Sequence, residues 1–312
     1  MPPMARYILR RLGHAVLVVF GVSIIVFLVM HLAGGSPLSV LLPPEASEAE
    51  RRQYEALLGL DQPLYVQYWD FASQAVRGDF GQSIWYGRPA AGLVLERLQA
   101  TAELAVSGLG LAVLVALPLG VLAAVYRNRT VDHAIGIFVV LGQSVPIFWL
   151  GMLLVLQFSV NWPLFPTSGR DSALSFVLPA LTLAVYSMAR LTRLTRAGML
   201  EVLNQDHLRT ARAKGMPERV VIFRHGVRNA LIPFVTYLGL EFGGLLGGAV
   251  VVETVFSWPG VGRLATEAIF NRDYPLVQAV VFIVALVFVA VNLLVDLLYP
   301  ALDPRIRLAS AS

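Results

Sequence analysis

The chain of 312 residues contains no cysteine. That excludes structural disulfides, thiolate metal sites and cysteine nucleophiles, and leaves the redox compartment undetermined. Charge is scarce as well: Asp, Glu, Lys and Arg supply 14% of residues, against about 25% in a soluble domain. The histidines, His14, His31, His133, His207 and His225, are scattered, and no two have the i, i+4 spacing of a helical metal site. A metal site built by this chain alone is thus unsupported. No G-x-x-x-x-G-K-S/T phosphate loop is present, so the chain carries no nucleotide site of that kind. What abounds is apolar: 57% hydrophobic residues and a mean hydropathy of +0.69 describe a membrane protein.

Runs of about 20 apolar residues, the length that crosses a bilayer, occur at 14–33, 103–126, 134–158, 174–192, 230–252 and 277–299. Six spanning helices and an all-α fold follow. The fourth run is the shortest and meets a basic stretch at Arg190. The first follows Arg6, Arg10 and Arg11, but it exceeds a signal-peptide core and no A-x-A site follows, so it reads as a retained helix. With residues 1–13 inside, sixteen of the 24 Lys and Arg lie on the inner side with five acids, and eight lie outside with twelve acids. Glu103, Glu241 and Asp296 fall within spans. This bias places both the N-terminus and the tail, 300–312, in the cytoplasm.

Two connections are too long to be plain loops. The first, 34–102, reads as a small outer helical subdomain. Ser47 and Glu50 fit a capping box ahead of an apolar face at Tyr54, Leu57 and Leu58. A second helix starts near Pro63, buries Tyr65, Tyr68, Trp69, Ala72 and Val76 at helical spacing, and stops by Gly78. This subdomain is either a packed cap or a docking face for an external partner. A shorter outer loop occupies 253–276.

The second long connection is the inner loop, 193–229, together with the basic residues from Arg190. Asp206 caps a helix start, Gly215 supplies a left-handed end and Pro217 prevents continuation, which marks off a helix of about two turns. Leu208, Ala211 and Met216 offer apolar contacts, while Ala211, Ala213 and Gly215 leave room for another protein's surface. The competing reading is a basic helix lying on anionic lipid, for which charge alone suffices.

The run Arg209-Thr210-Ala211-Arg212-Ala213-Lys214-Gly215, followed by Arg228-Asn229-Ala230-Leu231-Ile232-Pro233, resembles the EAA loop of ABC importer membrane subunits, in the form used by the dipeptide, oligopeptide and nickel permeases. Arg209, Thr210 and Ala211 hold the triplet positions and Gly215 the glycine; Pro233 follows at the longer distance of the peptide branch. The resemblance extends through Ala5-Arg6-Tyr7-Ile8-Leu9-Arg10-Arg11, Leu58-Gly59-Leu60-Asp61-Gln62-Pro63-Leu64-Tyr65 and Gly78-Asp79-Phe80-Gly81. It continues in Phe256-Ser257-Trp258-Pro259-Gly260-Val261-Gly262-Arg263, Arg272-Asp273-Tyr274-Pro275 and Asp303-Pro304-Arg305. At Gly34-Gly35-Ser36-Pro37 the chain departs from the Pro-Gly-Asp-Pro common in relatives.

The resemblance implies a type I ABC importer permease that pairs with a second permease subunit, either a different chain or a second copy. Two ATPase subunits, holding ATP and Mg, would dock inside, and a substrate-binding protein outside. The coupling role of the EAA helix falls on Arg209, Thr210, Ala211, Ala213 and Gly215. Di- and oligopeptides lead as substrates, with nickel chelates and glutathione as alternatives. An autonomous ion-coupled carrier would show matched intramembrane acids in two repeated halves, and Glu241 has no such counterpart.

Rocking helices need bending points, and Pro118, Pro146, Pro179 and Pro233 are candidates, or else static kinks. Gly243, Gly244, Gly247 and Gly248 form overlapping G-x-x-x-G pairs that permit close helix packing, with pore lining as the alternative. Glu241 lies near mid-span and faces inward, to meet either a substrate group or a neighbouring helix. Glu103 and Asp296 lie near span ends and read as interfacial.

Overall fold

The computed structural model describes residues 3–32, 38, 42, 46–57 and 59–302. In chain order the helices are α1 (Pro3–Leu32), α2 (Glu48–Leu57), α3 (Leu64–Val76), α4 (Ala90–Val125), α5 (Thr130–Ser144), α6 (Ile147–Val155), α7 (Val177–Leu203), α8 (Asp206–Ala213), α9 (Arg228–Gly248), α10 (Val250–Val255), α11 (Val261–Phe270) and α12 (Tyr274–Leu302). Among the described residues the only β pairing is an isolated bridge, Gln82 to Pro89.

Among the described residues four segments are long and apolar enough to cross a membrane: Leu9–Leu28, Ala90–Val125, Ala173–Leu203 and Tyr274–Val295. They overlap the expected first, second, fourth and sixth spans, although the helix that holds the second starts at Ala90, inside the stretch expected to be an outer subdomain. The expected third span, 134–158, is not one helix. It is α5 followed by α6 and its π-helical extension Leu156–Asn161, bent by 98°. The break falls at Val145 and Pro146, where proline supplies no N–H to the helix ladder. Pro118, by contrast, sits inside the unbroken α4. Pro179 lies in the first turn of α7, where a missing donor costs nothing. Pro233 lies within α9, a helix of 21 residues at the place of the fifth span.

The chain divides into two compact units. The first comprises the residues through Thr101 with Pro259–Leu293. In it α3 packs along α1: the Ser23 and Tyr68 hydroxyls lie 2.9 Å apart, and the Tyr68 ring meets Phe20 and Phe27 edge-on. Phe71 stacks on Phe27 and meets Phe80 and Phe282, above a core that includes Ala75, Leu93, Leu264 and Leu276. The expected buried face of α3 is therefore corrected. Tyr68 and Ala72 are half-buried, but Tyr65, Trp69 and Val76 are 69%, 63% and 87% exposed. The face that packs runs through Tyr68, Phe71, Ala72 and Ala75, which has the required helical spacing but was masked by larger apolar residues beside it. The capping box of α2 forms as expected: the Ser47 hydroxyl accepts the Glu50 N–H at 3.3 Å, and the Glu50 carboxylate accepts the Ser47 N–H at 2.9 Å.

Two of the motif stretches form one lock in this unit. Asp273, fully buried, accepts the Ser83 hydroxyl at 2.5 Å and the N–H groups of Trp85 and Leu276 at 3.1 and 3.3 Å. A buried carboxylate survives only with such partners. Beside it, Asp79 accepts the Gly81 N–H, and Tyr86 donates to Glu267.

The second unit, Ala102–Trp258 with the residues from Leu294, is built around α7. This helix was expected to end at Ala189 or Thr192, where the charges begin, yet it runs to Leu203. Its buried face continues through Met188, Leu191, Thr195, Met199 and Val202, while Arg190, Arg193 and Arg196 occupy the other side. Small residues bring neighbours close. A Cβ on Gly120 of α4 would lie 2.4 Å from the Thr195 Cβ, and one on Gly239 of α9 would lie 2.2 Å from Val295. Asp132 at the start of α5 takes a two-point grip on Arg196 at 2.7 and 2.8 Å.

Candidate functional site

Two sites of different character lie in the second unit. The first is α8, the short helix expected from its end signals. Gln205, rather than Asp206, is the N-cap residue, and Asp206 opens the first turn, where its charge suits the helix dipole. The C-terminal end forms as read. Gly215 has φ of 74°, its N–H reaches the Arg212 carbonyl at 2.9 Å, and the Met216 N–H reaches the Ala211 carbonyl at 3.3 Å. This is a Schellman motif, whose left-handed residue favours glycine.

The two faces of α8 differ. Leu208 and Ala211 are buried in a cluster with Val121 and Ala124 from the end of α4, Met199 and Val202 from α7, and Ala230 from α9. Ala211 therefore packs inward, contrary to the expectation that it faces a partner. His207 lies 3.1 Å from the Asn229 side chain at the start of α9. Arg212 binds Glu218 through contacts of 2.8 and 3.1 Å, which hold the Glu218 carboxyl below its ordinary pKa and raise that of the guanidinium. Arg209, Thr210, Ala213, Lys214, Gly215 and Met216 are exposed, and nothing lies within 4 Å of where a Gly215 Cβ would stand. The helix thus offers a low, open face outward while its other side grips the ends of α4, α7 and α9. Packed side chains transmit strain rather than absorb it, so this packing ties α8 to the ends of those three helices.

The second site surrounds Glu241, which is 9% exposed. The Ser187 hydroxyl donates to its Oε1 at 2.7 Å, and an Arg190 nitrogen stands 3.7 Å from its Oε2. Arg190 donates to the Tyr186 and Tyr237 hydroxyls at 2.9 and 3.3 Å and lies over the Tyr186 ring. A cavity of about 490 Å³ adjoins this cluster. Its walls include Gln143, Ser144 and Pro146 at the α5–α6 break, Leu150, Tyr186, Arg190, Glu241 and Gly244. Gly244, read as a packing residue, has open space before it and lines this cavity. Gly243 is buried, as close packing requires, and the surroundings of Gly247 and Gly248 lie outside the described residues. Sequence reasoning missed Arg190 as a site residue because charge at a span end reads as a boundary; its position three residues after Ser187 and one turn from Tyr186 was the available signal. Glu103 pairs with Arg170 at 2.5 Å, and the Asp296 side chain lies outside the described residues. Among the described residues no three His, Asp or Glu stand together to hold a metal.

The chain is 45% identical to the glutathione transport system permease protein GsiC of Escherichia coli (strain K12) over 304 residues, covering 97% of this chain and 99% of that one. The GsiC of Shigella flexneri serotype 5b is 44% identical over the same length. In fold it is similar to the MetNI methionine ABC transporter in an inward-facing conformation, with a TM-score of 0.59, 16% identity, and coverage of 68% of this chain and 96% of that one. It is likewise similar to an amino acid ABC transporter crystallised with histidines, at a TM-score of 0.55 and 18% identity, over 67% of this chain and 94% of that one. The fold is thus the all-α, type I ABC importer permease fold. Residues 116–308 match the family described as binding-protein-dependent transport system inner membrane component, and residues 4–105 match its N-terminal companion. The chain belongs to this family: it is the multi-pass membrane permease of an ABC importer, working with an ATPase and a binding protein rather than hydrolysing ATP itself.

Proposed function

We propose that this permease imports small peptides of the glutathione kind and that α8 is the element through which ATP-driven movement reaches the pathway. The observation that carries the coupling role is the two-sided construction of α8, with Leu208 and Ala211 anchored among the ends of α4, α7 and α9 and Arg209, Thr210, Ala213 and Gly215 left open. The substrate reading rests on the 45% identity with a glutathione transport permease along nearly the full length of both chains; di- and oligopeptides are the wider class. In this assembly a second permease subunit completes the pathway, two ATPase subunits hold ATP and Mg on the cytoplasmic side, and a binding protein delivers the solute from outside. Six spans, with both termini in the cytoplasm, bring α8 to the ATPase side, and the excess of Lys and Arg in the inner segments supports that orientation.

The test is uptake of labelled glutathione by the assembled transporter in vesicles, with ATP hydrolysis measured in parallel. Gly215→Trp is expected to lower uptake by about tenfold, the effect of losing ~1.4 kcal/mol at a contact, while ATP hydrolysis continues. Gly215→Asn, which tolerates the left-handed conformation, is expected to keep most uptake. Normal uptake with Gly215→Trp would remove α8 from the coupling role.

A further inference from the structure

Two arginine–carboxylate pairs hang from α7, and they are built differently. Arg196 and Asp132 close on each other with two contacts of 2.7 and 2.8 Å, the geometry of a completed charge-assisted pair. Arg190 and Glu241 do not. Their nearest atoms are 3.7 Å apart, beyond hydrogen-bond length, although both line the same cavity. Glu241 is nine-tenths buried, with the Ser187 hydroxyl on its Oε1 and the Tyr237 hydroxyl also bonded to its carboxylate. A buried carboxylate needs donors, and with Arg190 still 3.7 Å away it can take a further one from the cavity. Arg190 keeps 43% of its side chain exposed, and its bond to Tyr186 is accepted by the phenol oxygen, which leaves that hydroxyl proton available to an incoming anion. The neighbouring backbone adds acceptors. Pro146 has no N–H, so the Gly142 carbonyl at the end of α5 lacks its ladder donor.

We propose that this cavity is a pathway subsite for a zwitterionic peptide, in which Glu241 receives the ammonium group and Arg190, with Tyr186, receives the carboxylate. Val145, Ile147, Leu150 and Leu183 supply an apolar wall for the intervening part of the ligand. Opposite charges beside an apolar-walled space match a molecule that itself carries an ammonium and a carboxylate, as a dipeptide and glutathione both do. The proposal rests on the peptide-import reading and adds to it a second point of selection after the binding protein.

The test uses the complete transporter in vesicles with its binding protein, labelled glutathione and a labelled dipeptide as probes, and co-purification of the ATPase subunits as the assembly control. Glu241→Gln, which retains an acceptor for Ser187, and Arg190→Gln are each expected to lower uptake about tenfold, the value of a hydrogen bond to a charged group. The double variant is expected to be poorer than either single one. If Glu241 and Arg190 serve only each other, the double variant regains wild-type uptake and the proposal is overturned; wild-type uptake in both single variants overturns it as well. Tyr186→Phe, which changes only an exposed hydroxyl, is expected to lower uptake about threefold, so wild-type uptake there counts against the carboxylate position even if a charge variant fails to assemble. Failure of the unmodified assembly to transport either probe overturns the peptide-import reading and this subsite together, whereas transport by the parent with unaffected variants overturns the subsite alone.

Discussion

At the scale of the residue, the informative positions are those where one atom decides the packing. Gly120 and Thr195 hold α4 against α7 so closely that any Cβ at position 120 displaces either a side chain or the Thr192 carbonyl 2.8 Å away. Gly120→Leu is expected to destabilise the assembled protein by about 1–3 kcal/mol, read as a lowered melting temperature in detergent, with the same substitution at exposed Gly244 as a milder control. Asp273 is a second such position. Asp273→Ala strands the Ser83 hydroxyl and the Trp85 N–H in a buried site, at a cost of roughly 1–3 kcal/mol, and faster proteolysis of the 78–89 loop is the measurement. Neither role was legible beforehand. Gly120 looks like any small residue in an apolar run, and the partners of Asp273 lie 190 positions away along the chain.

Elements were more legible than contacts, because their ends carry local chemistry. Ser47 with Glu50 fixed one start and Gly215 with Pro217 one stop, since caps and left-handed residues act within a few positions. The continuation of α7 past Thr192 was not read, because charge was taken for the end of the span while the buried row Met188, Leu191, Thr195, Met199 kept its period. Pro146 was legible as a candidate bend, but its 98° angle depends on tertiary neighbours: the close approach of Gly151 to Phe256 and Val255 is one of them. Two predictions belong to this scale. Leu208→Ala is expected to loosen α8 from its seat, costing about 2–4 kcal/mol as a buried leucine does, with uptake falling more than ATP hydrolysis in the assembled transporter. The Arg212–Glu218 clamp is weaker. Because the folded Glu218 pKa is depressed, its contribution is present above the ordinary value of 4.5 and is lost as pH falls through the lowered one. Glu218 is 55% exposed, so Glu218→Gln is expected to cost less than about 1 kcal/mol near neutral pH, and the difference from wild type in thermal melts disappears in acid.

For the whole molecule, the excess of Lys and Arg in alternate segments and the open face of α8 both support the proposal that the short helix lies on the ATPase side. The absence of cysteine makes this directly measurable, since any thiol introduced stands alone. The measurement is crosslinking of Ala213→Cys, on the exposed face of α8, in the assembled transporter in membranes, with exposed Gln62→Cys as the comparison. The account predicts a crosslink from position 213 to an ATPase subunit that changes in yield between nucleotide-free and ATP-bound states, and none from position 62. A crosslink to the ATPase from position 62, or a thiol at 213 that reacts only with lipid or external reagents in every state, would contradict it.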